Sequence, residues 1–247
     1  MRTFERAVDV RAIPGVHLVA RVDGRSFTRL LREVHRFEPF DERVRDIMGA
    51  TAEHLMRCGF RTLFAYTQSD EISVWIHPQD DAFGRRLSKL QSILAGEASA
   101  RFSLLLGSMG TFDCRISQLP DLEAVVDYFR WRAGDAERNA LNTHAWWTLR
   151  REGKGVREAA ETLRRMDLDD RRRLLADRGR PIEGAPAWHR RGVGVYWRRV
   201  PHVGTDPRSG AKTTTVRTRL FRDLELPGGA ALQAFVRERA GAGIVSD

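Results

Sequence analysis

The sequence predicts an α+β fold, with an antiparallel sheet and packed helices spelled out between residues 10 and 118 as strand, helix, strand, strand, helix, strand. Three observations carry this. β-Branched runs alternate in polarity at 16–22 and 72–76, apolar residues recur at helical spacing at 44–56 and 83–94, and turn-forming residues separate them.

The first strand runs from Val16 to Val22, opens after Pro14-Gly15 and ends at Asp23-Gly24. From Asp41 onward, Val44, Ile47, Met48, Leu55 and Met56 mark a helix that Gly59 closes. Thr62 to Tyr66 and Ile72 to Ile76 flank Gln68-Ser69-Asp70-Glu71, which makes a β-hairpin with acids at its tip. Ala82 to about Arg101 reads as a helix, with Phe83, Leu87, Leu90 and Leu94 on one stripe, Arg85 and Lys89 on the far side and Arg86 on the flank. Ser103–Leu106 and Phe112–Arg115 follow as short strand candidates.

After Pro120 the character changes. A long helix runs from Leu122 to about Gly153, two Arg-rich helices follow near 155–166 and 169–178, and strands are expected at Gly194–Arg199 and Thr213–Leu220. Residues 1–119 are therefore read as one catalytic domain, and 120–247 as a helical and β-hairpin region. There is no internal repeat.

A composition that is 42% hydrophobic and 30% charged belongs to a globular chain and excludes a disordered one. The net charge of +9 favours a polyanionic partner, because a basic surface releases condensed counterions on meeting a phosphate backbone. Cys58 and Cys114 have no metal-ligand spacing and are too few for a disulfide framework, so a reducing, cytoplasmic setting is expected. The N-terminus lacks a signal-peptide core, and the richest apolar run, Leu104 to Leu106, is too short to span a membrane.

The chemistry concentrates in two segments, Arg21-Val-Asp23-Gly24-Arg25-Ser26-Phe27 at a strand end and Gln68-Ser69-Asp70-Glu71 at the hairpin tip. Each alone is ordinary turn sequence. If the two strands are neighbours, the carboxylates of Asp23 and Asp70 meet and repel, and a divalent cation relieves the repulsion. Magnesium takes hard oxygen ligands and completes its shell with waters and substrate phosphates. Two such ions stabilise the attacking and leaving oxygens of a phosphoryl displacement. Gly24 leaves the backbone open to metal and phosphate.

Five segments in order resemble the tRNA-histidine guanylyltransferase superfamily: Val22-Asp-Gly-Arg-Ser-Phe27, Tyr66-Thr-Gln-Ser-Asp-Glu-Ile-Ser73, Phe112-Asp-Cys-Arg115, Asp127-Tyr-Phe-Arg-Trp-Arg132 with Asp135 and Asn139, and Gly192-Val-Gly-Val-Tyr-Trp197. The likeness runs from about residue 4 to 200 and is nearer to the bacterial and archaeal guanylyltransferase-like branch that repairs tRNA 5′ ends. It implies a polymerase-palm, ferredoxin-like sheet with helices on one face, and template-dependent addition of nucleotides in the 3′–5′ direction. A nucleoside triphosphate (ATP or GTP) activates the tRNA 5′-phosphate, and the 3′-hydroxyl of an incoming nucleotide then attacks it.

By the same resemblance, Asp23, the Gly24 carbonyl and Asp70 hold two Mg2+ ions, and Glu71 supports the site. Asp23 to Thr28, with Arg25, Ser26 and Phe27, and Ser69 hold the nucleotide, and Arg86 and Lys89 grip triphosphate. Without the acids nearby, Arg86 and Lys89 read rather as a solvated helix face, where most Arg and Lys lie. A tetramer built from dimers is also implied.

Two departures stand out. Glu38 occupies the position before Pro39-Phe40-Asp41 where the family commonly has Lys, with Arg36 as a nearby substitute. The family's His-Ile-Asn-Asn tetrad falls on Glu137-Arg138-Asn139-Ala140, where Asn139 alone matches, which favours general 5′-end repair over strict histidine-tRNA selection. Arg138 and Asn139 are expected to face tRNA, together with Lys212, Arg217, Arg219 and Arg222, whose charges were expected to line one face of a hairpin. His144 and Trp146-Trp147 read as core or flank of the long helix more readily than as stacking platforms. Competing readings are a palm-fold nucleotide cyclase and a catalytically silent RNA-binding protein.

Overall fold

The computed structural model describes Phe4, residues 9–205 and residues 210–241; the likeness at residues 5–8 lies outside them. The strands are β1 (His17–Gly24), β2 (Thr62–Gln68), β3 (Glu71–Ile76), β4 (Phe112–Leu119), β5 (Val193–Thr205) and β6 (Lys212–Asp223). They form one antiparallel sheet in the order β4-β1-β3-β2-β5-β6. The expected domain boundary coincides with the end of β4, while the sheet itself continues across it through the pairing of Tyr66 with Gly194.

Both faces of the sheet's centre are covered, while most of β6 is exposed, and the strand period of two sorts the side chains. Leu18, Ala20 and Val22 of β1 and Ile72, Val74 and Ile76 of β3 face helices α1 (Glu42–Leu55) and α2 (Leu87–Leu106). Those helices answer with Met48, Ala52 and Leu55, and with Leu90, Leu94, Ala98 and Phe102, at steps of three or four. Val19 and Trp75 face the other way, toward α3 (Leu122–Arg151) and α7 (Gly229–Gly241), where Phe129 packs edge-on to Phe64 at 4.9 Å. The second half of α3 runs past the sheet. There Leu141, Ala145 and Leu149 build a third core with α4 (Val156–Arg164) and α5 (Leu168–Ala176). A short helix, α6 (Ala187–Arg191), leads into β5.

Helix starts follow from caps. The Asp41 carboxylate accepts from Arg43 N, that of Asp121 from Ala124 N, and Asp167 and Asp170 form a reciprocal capping box.

Two expectations need correcting. The helix expected from Ala82 is broken at its start: Ala82–Arg85 is a single 3-10 turn, with Phe83, Gly84 and Arg85 at φ of 54°, 58° and 54°. Local polar bonds outcompete the helical period here. Asp80 accepts from Ala82 N, and the Arg85 guanidinium donates to the carbonyls of Pro78 and Val16, so Arg85 is not on the helix's far face. Ser103–Leu106 is not a strand but the last turn of α2, which Gly107 ends at φ 75°. No helix among the described residues is long and apolar enough to cross a membrane.

Candidate active site

The two acidic segments meet at one end of the sheet. Asp23 lies opposite Glu71 across β1 and β3, and the Gly24 N–H donates to the Asp70 carbonyl at 2.9 Å, so the end of β1 is stitched to the hairpin tip. The tip is a two-residue turn, Ser69-Asp70, with Ser69 at φ 56°, and Thr67 Oγ1 ties it down by donating to the Glu71 carbonyl at 2.8 Å. A non-glycine residue held in the left-handed region is a strained conformation that such tight tips concentrate.

Burial pushes the Asp70 carboxyl above the usual carboxylate range; the Ser69 hydroxyl opposes this and the charge of Asp23 adds to it. Two partly buried carboxylates, with the charge of Asp23 acting on Asp70, and an adjacent backbone carbonyl form a hard-oxygen donor set. Among the described residues no cluster of three or more His, Cys, Asp and Glu gathers. Gly24 is required for a reason beyond open backbone: a Cβ there would sit 2.6 Å from the Phe27 ring. Phe27 is itself buried between Phe102 and Phe112, each 4.8 Å away.

Glu71 has a different role from Asp70. Both its oxygens accept from Arg132 of α3, at 2.7 Å each, and Arg21 stands 3.8 Å away. Burial pushes its carboxyl up, against the pull of both guanidinium groups. One helical turn back, the Tyr128 hydroxyl meets that of Ser73 at 2.9 Å. Through these two links α3 fixes the hairpin tip. Asp113, which pairs with Asp23 from β4, is an acid the sequence reading missed; it is exposed, 3.7 Å from Arg115.

Beside the tip opens a cavity of about 310 Å³. Asp70, Ser69, Phe27, Thr28 and Asn139 line it, while Asp23, Gly24, Arg25 and Ser26 are not among its lining residues. Two further lining residues escaped the sequence reading, Phe40 and Trp188. Phe40, at φ 58°, stacks on His189 at 4.2 Å and His144 at 4.9 Å. The pattern signal was faint because the three rings come from three separate segments. Burial and the neighbouring His144 depress the His189 pKa to about 4, so the stack is neutral at physiological pH. Glu38 also lines the cavity, and Arg151, 3.6 Å away, brings a cation there from α3.

Other expected site residues sit elsewhere. Arg86 caps α2 and pairs with Asp9 at 3.8 Å, and Lys89 is exposed one turn on. Arg85 beside them reaches Val16 at the opposite end of β1, so about 20 Å of strand separates this region from the acids. The chain leaves the tip along β3 and turns back only after Ile76, which is why a single protomer does not bring Arg86 and Lys89 to Asp70. Arg138 pairs with Asp135 at 2.7 Å and lines neither the cavity nor its neighbour.

The cations of β6 do not share a face. Arg217 and Arg219 lie on one side, with Arg219 opposite Arg198 of β5, while Lys212 and Arg222 lie on the other. Arg222 is moreover bound to Glu53 at 2.9 Å, with Asp46 at 3.6 Å.

An antiparallel palm-like sheet whose hairpin tip presents Asp70 to an adjoining cavity suits the attack of a hydroxyl on a nucleoside phosphate, the class of chemistry that nucleotidyltransferases perform. The Thg1 (tRNAHis guanylyltransferase) family model matches residues 1–120, and a probable tRNA(His) guanylyltransferase of Drosophila melanogaster is 30% identical over 211 residues, 81% of this chain and 73% of its own length. The chain belongs to the tRNA-histidine guanylyltransferase family. Solved structures share the fold: a bacterial Thg1-like protein superposes with a TM-score of 0.78 at 23% identity, covering 97% of each chain. The Saccharomyces cerevisiae enzyme superposes with a TM-score of 0.70 at 22% identity, covering 78% of this chain and 91% of its own.

Proposed function

We propose that this chain extends the 5′ end of tRNA in the 3′–5′ direction, directed by the opposite strand of the acceptor stem. A single observation carries the chemistry: the stitched Asp23–Gly24 and Asp70 backbones open beside a cavity large enough for a nucleotide. Asp23, the Gly24 carbonyl and Asp70 would hold two magnesium ions. When bound, these ions neutralise polyphosphate charge and lower the cost of deprotonating the attacking 3′-hydroxyl.

The chain's own groups do the rest. Ser69 and Thr28 offer hydroxyls to the nucleotide, Phe27 and Phe40 supply apolar walls, and Asn139 offers a neutral amide that reads hydrogen bonds. Glu71 acts as a positioning residue, because its oxygens are engaged with Arg132. In the first step the tRNA 5′-phosphate attacks the α-phosphorus of a nucleoside triphosphate and pyrophosphate leaves. In the second, the 3′-hydroxyl of an incoming nucleotide attacks the activated 5′-phosphate and the nucleoside monophosphate leaves.

ATP and GTP are the proposed substrates; bacterial Thg1-like proteins of the same fold have been captured with each. The replaced tetrad at Glu137–Ala140 supports broad 5′-end repair in the cytoplasm over selection of one tRNA. A homotetramer is the proposed assembly, read by light scattering.

The test mixes protein, magnesium, labelled GTP and a 5′-monophosphorylated tRNA lacking its first nucleotide. Labelled, lengthened tRNA is the expected product. Labelled cyclic nucleotide, or tRNA binding without product, would overturn the reading.

A further inference from the structure

A second cleft, of about 420 Å³, adjoins the first cavity, sharing Arg32, Asn142 and Thr143 with it. It lies where α3 leaves the sheet and α4 and α5 fold against it. Two indoles, Trp146 and Trp147, line it, together with Arg164 and Arg171. None of these side chains was claimed by the catalytic site, and the tryptophans read from sequence as core or flank.

The walls combine cationic and aromatic chemistry. Arg32 is exposed and has no ion-pair partner among the described residues. Arg164 is exposed and shares its charge with Glu161 at 3.0 Å. Arg171 is anchored, donating to Asn142 Oδ1 and to the Leu163 carbonyl at 2.7 Å, which holds its guanidinium in place before any ligand arrives. Two buried donors of these side chains, Trp147 Nε1 and Arg171 Nε, lack a partner among the described residues. Arg150 lies over the Trp146 ring at 5.6 Å and Arg151 over that of Trp147 at 6.0 Å, so both indoles sit in a positive field. Among the described residues no carboxylate lines the cleft. Guanidinium groups for phosphate and indoles for a base face are the recognition chemistry of single-stranded nucleic acid.

We propose that this cleft binds one nucleotide of the RNA substrate, next to the nucleotide in the first cavity, with its phosphate on Arg32 and Arg164 and its base against the indoles. The inference rests on the RNA-directed function proposed above. Continuity with the first cavity favours a unit of the polynucleotide over a free nucleotide, because Arg32 and Asn142 serve both spaces and a backbone can run between them.

The experiment measures binding of a 5′-monophosphorylated tRNA lacking its first nucleotide, as a function of salt, and binding of ATP alone. It compares the full chain with its Arg164→Gln, Trp147→Ala and Trp147→Phe variants. Losing one phosphate contact lowers the slope of log affinity against log salt by about 0.7–0.9, the change expected for Arg164→Gln. Trp147→Ala should weaken tRNA roughly tenfold, within the range for one lost base stack, and Trp147→Phe should restore most of it. ATP affinity should stay within twofold in all three. Parent-like tRNA affinity and salt slope in Arg164→Gln and Trp147→Ala would overturn the cleft while leaving the function standing. Weakened ATP with unchanged tRNA would assign the cleft to a free nucleotide and also overturn it. Equal losses in Trp147→Phe and Trp147→Ala would point to disrupted packing and count against stacking. A parent protein that binds no tRNA would overturn the function itself, and the cleft with it.

Discussion

Gly24 donates its backbone N–H to the carbonyl of Asp70 at 2.9 Å, and this bond joins two strand ends that are 46 residues apart in sequence. It brings the Asp23 and Asp70 segments together without any side-chain contact. The Asp70 carboxylate keeps one hydrogen bond, from the Ser69 hydroxyl, and its burial together with the charge of Asp23 makes a cation welcome.

The first consequence concerns Gly24 itself. Gly24→Ala puts a methyl group 2.6 Å from the Phe27 ring and should destabilise the fold by about 1–3 kcal/mol, the usual cost of overpacking. Chemical denaturation checks this. The Gly24→Ala, Phe27→Leu double variant should be less destabilised than the sum of the two single variants.

The Glu71–Arg132 fork is buried, with side chains 13% and 11% exposed. Arg132→Ala strands a carboxylate in a site that favours neutrality, at a cost of about 3 kcal/mol. That should lower the melting temperature by roughly 6–12 °C for a chain of this size. Glu71→Gln combined with Arg132→Met should recover most of the loss, since an uncharged pair leaves nothing unpaired. A double variant as unstable as Arg132→Ala would show that packing, not charge, holds the link.

His189 gives stability a pH dependence. Its folded pKa of about 4 lies below the ordinary value of 6.5, so the unfolded chain binds the proton more readily. The contribution is complete above pH 6.5 and is lost as pH falls toward 4. Melting temperatures of the parent should drop over that window more steeply than those of His189→Phe, which keeps the ring against Phe40. Identical profiles would contradict the assignment.

Much of this was legible in the sequence, and the limits have physical causes. The hairpin acids were readable because turn chemistry and strand alternation act over a few residues, and β1 was readable for the same reason. The break at Phe83–Arg85 was hidden because it depends on Arg85 reaching the carbonyls of Val16 and Pro78, contacts that no local period records. Arg86 and Lys89 were assigned by family likeness, and within one protomer the length of β1 separates them from the acids. The stack of Phe40 on His144 and His189 beside the cavity was invisible for a like reason: it exists only once the segment before α1 has packed against α3 and α6. Alternation along β6 was in plain view, and it assigns Arg222 to the side of Lys212, away from Arg217 and Arg219.

The arm formed by β5 and β6 yields the next expectation. Arg217 and Arg219 are exposed on one face and should contact phosphate, so an Arg217→Ala, Arg219→Ala variant should lower the salt slope of tRNA binding by roughly 1–2. Arg222→Ala should instead reduce stability, because Glu53 loses its partner, and should leave the slope unchanged. The opposite pattern would reverse the roles of the two faces.

The most direct measurement compares single-turnover nucleotide addition to the truncated tRNA by the parent chain, Asp23→Ala and Asp70→Ala, alongside tRNA binding by all three. Each substitution should cost at least about a hundredfold in rate, as removing a group that stabilises transition-state charge does, while tRNA affinity stays within threefold. Addition at close to the parent rate by either variant would contradict the shared cation site.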